Sequence, residues 1–461
     1  MAVRGGFSSK LGFVAAAAGS AVGLGNIWQF PYVAGQNGGA AFLLVYVGWI
    51  FLIGLPIMIG EIAVGRNTAA NPYGAYNKLG GKSWALVGLF GIICGVMILS
   101  FYNVVAGWAF GYFVHLSFGG LLKETDFAGY FYNYTADYSD NLIYSIAFMI
   151  ITAFIVYRGV QKGIEGTSKI LMPTLFGILI LIIIYGLTLP NAMDGVSFYL
   201  LPDFSLINGA TIYSALGQAF FSLSLGMGAL ITYGSYISKS DNIVNSATLV
   251  TVADTMVAFL AGLMIFPLVF SQGQSPSEGP GLVFIALLGV FQTMPPLVAK
   301  LVGGGFFLLL CFAALTSTIS LLEVPVAFLV DEKKWSRKKA VAVMASLIFI
   351  IGLPSMLSYG ASDLFTNFTF YEGKTKNFMD IVQDVFFVVS LPLGGFLLSV
   401  FIARHWKTKN MSDEIAQGYS SYRGSLLEKY FNTMITVICP IVLGIMFVLT
   451  LLQKFFGVII I

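Results

Sequence analysis

The sequence predicts an all-α polytopic membrane protein. It reads as two inverted five-helix repeats, spans one to five and six to ten, followed by one extra helix. Three observations carry this reading. The 461 residues are 57% hydrophobic and only 10% charged, a composition that a soluble domain does not have. The chain divides into eleven apolar runs, and the first and the sixth are interrupted by small residues. Nineteen of its 24 Lys and Arg fall on one side of the resulting topology. That asymmetry sets orientation and predicts a cytoplasmic N-terminus in the cell's inner (plasma) membrane.

The runs cover residues 11–35, 40–64, 85–117, 142–157, 166–188, 211–237, 243–271, 301–329, 338–357, 377–403 and 430–456. They form one transmembrane domain over residues 1–461, with repeat one at about 8–190, repeat two at about 205–404 and the extra helix at about 430–456. The opening M-A-V-R-G-G-F-S-S-K leads straight into the first span, without the pattern of a cleavable signal peptide. A basic loop with Arg158, Lys162 and Lys169 separates spans four and five. Two long segments lie on the outer side. Residues 118–141 are Tyr-rich, and residues 272–300 are rich in turn formers and are expected to fold back as a lid.

The first interruption is G-S-A-V-G-L-G-N-I-W-Q-F-P, residues 19–31. Gly costs a helix interior about 1 kcal/mol relative to Ala. Backbone released from a helix inside a bilayer must find partners in protein, water or ligand. Taken alone, the stretch also reads as a closely packed helix, since Gly is common where transmembrane helices touch. The second interruption, G-Q-A-F-F-S-L-S-L-G-M-G at residues 217–228, decides between the two. Broken helices at matching positions five spans apart point to a binding site between two repeats. Repeats of five spans have odd length, so the second must be inverted.

Ionisable groups inside the spans are costly and each needs a reason. Glu61 is placed to accept hydrogen bonds from amides freed in span six. Asp254 has no basic neighbour in sequence and reads as a cation ligand, a protonated acid or a packed, hydrogen-bonded acid. Glu323 reads as a packed, hydrogen-bonded or protonated acid. Asp380 and Asp384 flank Gln383 near the outer end of span ten, within reach of water. Thr316 and Ser317 in A-A-L-T-S-T serve equally as back-bonded packing residues or as hard oxygen ligands. Cys94, Cys311 and Cys439 lie apart in apolar runs and read as inert thiols. His115 and His405 are far apart and near span ends, which argues against a histidine-based metal or catalytic site.

These stretches resemble the neurotransmitter:sodium symporter family, in a bacterial form with the leucine-transporter fold. The marks are the two interrupted stretches, N-G-G-A-A-F after the first, A-A-L-T-S-T-I-S-L-L-E, and K-G-I-E-G-T-S-K-I-L-M-P with Gly163 and Pro173. The resemblance implies sodium-driven symport of an amino acid by alternating access, with two sodium ions and no enzyme activity. The partners it implies are a small amino acid and the lipid bilayer, not nucleic acid. It places the substrate against Ser20, Ala21, Gly23, Gly25, Ile98, Tyr102, Phe221, Ser222, Ser224, Met227, Ser317 and Leu321. One sodium would meet Ala21, Asn26, Ser222, Asp254 and the substrate carboxylate. The other would meet Gly19, Val22, Ala313, Thr316 and Ser317.

The resemblance also assigns gates. Arg4 and Asp331 correspond to the inner ion pair. Phe7 stands where Trp is usual, and Ser235 and Tyr236 match the inner end of helix six. Gln29 and Gln383 replace the charged outer pair, and losing both together strands no buried charge. The chloride pocket of animal members maps to Tyr46, Gln218, Ser222, Asp254 and Ala258. There Asp254 replaces Asn and Ala258 replaces Ser. A fixed carboxylate would repel chloride and balance sodium, which predicts chloride-independent symport with a proton carried on the return. The pocket has no charged lining, which predicts a neutral hydrophobic substrate. A sodium-dependent sensor or a channel-like protein on the same scaffold is the alternative. No G-x-S-x-G or H-E-x-x-H motif occurs, which speaks against an intramembrane enzyme.

Overall fold

The computed structural model describes residues 5–124, 126–273 and 282–458. Among these residues, nine helices are long and apolar enough to cross a membrane: Ala40–Thr68, Lys82–Ser117, Tyr138–Tyr157, Val160–Gly186, Ile243–Phe270, Pro296–Glu332, Arg337–Leu357, Phe378–Trp406 and Leu426–Phe456. A tenth span is the pair Lys10–Ala21 and Gly25–Gln36, bent by 50°. The sixth span of the expected order is also a pair, Gly209–Ser222 and Ala229–Gly234, each half too short to cross alone. Counting both pairs gives the eleven spans expected. Spans three and eight, the third of each expected repeat, pack along their length.

The breaks have local causes. Between the halves of span six, Ser224, Gly226 and Gly228 adopt left-handed backbone with φ of 55°, 85° and 77°. A helix cannot pass through that conformation, and glycine adopts it without steric cost. In span one the requirement is space. A Cβ on Gly25 would lie 2.5 Å from the Phe221 ring, so only glycine lets the two broken spans touch.

Four features differ from expectation. The basic loop between spans four and five shrinks to Arg158–Gly159, because span five starts with a π-helical turn at Val160–Glu165. Gly159, at φ 87°, makes the corner, and Lys162 and Lys169 ride on helix. Span eight starts at Pro296 rather than 301, because Lys300 extends from the helix end without ending it. The Tyr-rich outer segment holds a helix of its own, Phe127–Ala136. The expected lid contains the apolar helix Val283–Gln292, whose Phe284 packs against Trp28, Trp108 and Tyr112. Residues 274–281 of that segment lie outside the described residues.

Candidate functional site

Both breaks face one cavity. Span one contributes Ser20, Ala21, Gly23 and Gly25, and span three Ile98 and Tyr102. Span six contributes Phe221, Ser222, Ser224 and Met227, and span eight Ser317 and Leu321. The structure thus gathers all twelve residues expected at the substrate around one space. Phe387 of span ten completes the wall. Sequence reasoning missed it, since a Phe in V-F-F-V-V reads equally as facing lipid.

The released backbone is held by side chains. Leu24 N donates to Tyr102 Oη at 2.8 Å, and Gly23 N to Asn26 Oδ1 at 3.0 Å. Ser224 Oγ donates to Ser20 O at 2.8 Å, and Gln218 Nε2 to Gly25 O at 2.9 Å. Glu61 accepts from Gly226 N at 2.8 Å. It anchors the unwound stretch of span six from outside the cavity.

Two oxygen clusters flank the cavity. In the first, Asn26 Nδ2 donates to Ser222 Oγ (2.8 Å) and to Asp254 Oδ1 (2.8 Å) and O (3.1 Å). Ser222 Oγ donates to Asp254 Oδ2 at 2.7 Å, and Tyr46 Oη lies 3.0 Å from Ser222 Oγ. All four side chains are buried. The Asn26 amide supplies the positive pole facing the carboxylate. Ala21 borders the cavity alongside this cluster.

In the second cluster, Thr316 Oγ1 lies 3.3 Å from Val22 O, 3.1 Å from Phe312 O and 3.0 Å from Ala313 O. Ser317 Oγ lies 3.4 Å from both Ser20 O and Val22 O. A hydroxyl has one proton, so it cannot satisfy three carbonyls at once. A Cβ on Gly19 would stand 3.0 Å from Thr316 Cβ, so Gly19 lets spans one and eight close on this point.

The family described as the sodium:neurotransmitter symporter family matches residues 4–128 and 135–456. The chain belongs to that family. It is 40% identical over 446 residues, 96% of each chain, to a Bacillus subtilis (strain 168) protein named as the uncharacterized sodium-dependent transporter YhdH. It is 26% identical over 448 residues to the sodium- and chloride-dependent taurine transporter of Rattus norvegicus, covering 84% of this chain and 71% of the relative. Among solved structures it resembles that of MhsT in complex with L-phenylalanine, with 44% identity and a TM-score of 0.87 over 96% of this chain and 99% of that one. The protein is a multi-pass secondary transporter with the leucine-transporter fold, a sodium-dependent symporter and not an enzyme.

Two packed clusters stand at the positions where the resemblance expects the gates. On the face where the N-terminus lies, Phe7 packs edge-on against Phe13 and Tyr233, with centroids at 5.5 and 5.7 Å. Its N–H donates to Tyr236 O at 3.2 Å. Tyr236 Oη donates to Glu323 Oε1 at 2.7 Å, and Arg337 clasps Glu323 through both terminal nitrogens. Of the readings open for Glu323, the hydrogen-bonded one holds, with an ion pair added. The sequence hides the pair because Arg337 sits on another span, among residues that read simply as inner-face positive charge. Ser235 is buried beside this group and donates from Oγ to Thr232 O at 2.5 Å. Arg4 lies outside the described residues. Asp331, its expected partner, accepts from Asn71 N at 3.1 Å.

On the opposite face, no hydrogen bond among the described residues joins Gln29 to Gln383. Gln29 borders a second cavity next to the first, and Gln383 does not. Phe221 and Phe387 meet edge-on there with centroids 4.1 Å apart. Asp384, expected in reach of water, is instead buried. It accepts from Tyr371 Oη at 2.7 Å and pairs with Lys376 at 3.2 Å and Lys454 at 3.1 Å. The hairpin strands Thr369–Tyr371 and Lys374–Lys376 fold over it and supply two of these partners. Asp380 is held in a capping box with Asn377 at the start of span ten.

Proposed function

We propose that the protein carries a neutral, apolar amino acid into the cell together with sodium. One observation carries this reading. Both helix breaks open onto a single cavity whose thirteen lining residues include no charged side chain. A buried, unpaired substrate charge would cost several kcal/mol there. The substrate carboxylate sits at the amides around Gly23 and Gly25 and at Tyr102, where helix ends favour an anion. Its ammonium meets carbonyls near Ala21, Phe221 and Ser222. Its side chain rests on Ile98, Met227, Leu321 and the two rings Phe221 and Phe387. That MhsT is solved with L-phenylalanine supports an apolar substrate here.

Two sodium ions travel with it. One takes the nest of Asn26, Ser222 and Asp254, with Ala21 and the substrate carboxylate. The other takes Gly19, Val22, Ala313, Thr316 and Ser317. Oxygen-only donors suit a hard cation. Asp254 supplies the negative charge beside the first sodium, so transport needs no chloride. When sodium leaves, the buried carboxylate takes up a proton and carries it outward. The N-terminus is cytoplasmic and the protein lies in the inner (plasma) membrane.

The test is uptake into proteoliposomes with an imposed sodium gradient. Phenylalanine, leucine or tryptophan enters, glutamate and lysine do not, and replacing chloride by gluconate changes nothing. Uptake restricted to glutamate or lysine sinks the substrate assignment, and arrest in gluconate sinks the role of Asp254.

A further inference from the structure

We infer that Glu165 is a positioning residue for transport: it latches the start of span one to span five, and its release lets the first half of span one move. The inference rests on the proposed reading of transport around the helix breaks. It is carried by a carboxylate that reaches from span five to the start of span one. Glu165 closes the π-helical turn Val160–Glu165, and its side chain is 2% exposed. It accepts from Ser8 N at 2.7 Å, Ser8 Oγ at 2.5 Å and Ser9 Oγ at 3.4 Å. These partners lie at the entry to another span, 156 or 157 residues away in the chain.

The seat is shaped for this one group. Span one begins at Lys10 with Ser9 as its N-cap, whose Oγ accepts from Gly12 N at 3.1 Å. The first turn of a helix has unpaired amides and the positive end of its dipole, both of which favour an anion. A Cβ on Gly12 would fall 2.0 Å from Glu165 Oε1, so the carboxylate fits only because residue 12 is glycine. Lys169, one turn along span five, pairs with Glu165 at 2.6 Å and reaches Ser9 Oγ at 3.3 Å. The carboxylate therefore keeps its charge balanced while it holds Ser8 and Ser9.

A purely structural ion pair would hold span five together through Lys169 alone. Here the hydrogen bonds to Ser8 cross between spans, beside the Phe7 N–H tie to Tyr236 O. The two ties hold residues 7–9 from two sides. The same helix continues to Gly19 and Val22, which close on Thr316. A rigid helix turns motion at its first turn into motion at those carbonyls.

The test compares the parent with Glu165→Gln and Gly12→Ala. The amide keeps the size but loses the charge and must aim two N–H groups at donors. The Ala variant keeps the carboxylate but fills its seat. Hydrogen exchange read by mass spectrometry on residues 7–21 of the detergent-solubilised protein should speed up about tenfold in both, with other peptides unchanged. Apparent sodium affinity in uptake should fall at least threefold. Exchange at parent rates in both variants overturns the proposal, as does a rise spread evenly over all spans, which marks a structural role. If either variant does not fold, Ser8→Ala is read the same way, with a smaller rise expected. The exchange measurement needs no transport, so failure of sodium-driven uptake in the parent would count against the proposed function alone.

Discussion

The two closures flanking the cavity are built from different forces. The face bearing the N-terminus is tied by charge and hydrogen bonds: Glu323 with Arg337 and Tyr236, Glu165 with Ser8, and Arg66 with Glu414. The opposite face is shut by rings, Phe221 on Phe387 and Trp28 on Phe284. Its charged cluster, Asp384 with Lys376 and Lys454, ties the hairpin and the last span to span ten rather than bridging Gln29 and Gln383. Aromatic contact separates without stranding a charge. Glu323 is fully buried while Arg337 is partly exposed, so parting the pair strands a buried carboxylate at a cost of several kcal/mol.

The largest expected effect breaks the ionic side. Glu323→Ala leaves Arg337 facing Tyr236 and Val156 O without a counter-charge. It should cost about 3 kcal/mol, visible as a lower melting temperature in detergent. Replacing Glu323 and Arg337 together by Leu should recover most of that loss. A double variant as unstable as the single would show that charge is not what closes this face.

Acid should weaken the same face. Burial alone would raise the Glu414 carboxyl, but hydrogen bonds from Lys239, Asn67 and Arg66 bring it below the ordinary carboxylate value. A folded pKa below the unfolded value of about 4.3 stabilises at higher pH. That contribution is present above the unfolded pKa and is lost as pH falls through the lowered one. Melting temperature should drop as pH falls below about 4.3, and Glu414→Gln, less stable throughout, should show a shallower drop. Equal slopes would place the acid sensitivity elsewhere.

The aromatic side predicts a smaller effect of another kind. Phe387→Ala removes an edge-on ring pair, worth about 1 kcal/mol beyond its buried area. Substrate should dissociate about five- to tenfold faster, with melting temperature changed less than in Glu323→Ala. The shift should not depend on salt, because no charge is involved. A shift that grows with ionic strength would place a charged group in this closure.

What is legible in the sequence follows the same division. Helix breaks announce themselves through Gly19, Gly23, Gly25, Gly226 and Gly228, because small residues are what an unwound backbone requires. The cavity walls follow from the breaks together with the family resemblance. Long-range pairs leave no local trace. Glu323 and Arg337 belong to different spans, and Glu165 meets Ser8 across 157 residues. Asp384 reads as open to water, and only the folded hairpin brings Lys376 and Tyr371 over it. The π turn at Val160–Glu165 lies inside a stretch whose charges read as loop. Hydropathy reports burial along one helix and is blind to which neighbour faces a charge.

The smallest expected effect asks whether charge can be restored to the aromatic face. Gln29 borders the outer cavity, Gln383 does not, and no hydrogen bond among the described residues joins them. Gln29→Arg alone puts a cation near a face whose acid, Asp384, is already shared by Lys376 and Lys454. It gains little Coulomb energy there and is hydrated in the outer cavity, so uptake should fall only about two- to threefold. Adding Gln383→Asp supplies a free carboxylate one residue before Asp384. If closure brings the two positions together, the double variant should match the parent, and a partly exposed pair of this kind is worth under about 1 kcal/mol. The recovery should vanish in high salt, because exposed charges are screened. Equal activity of the single and double variants at low salt would mean that residues 29 and 383 never meet during transport, leaving the rings to close this face unaided.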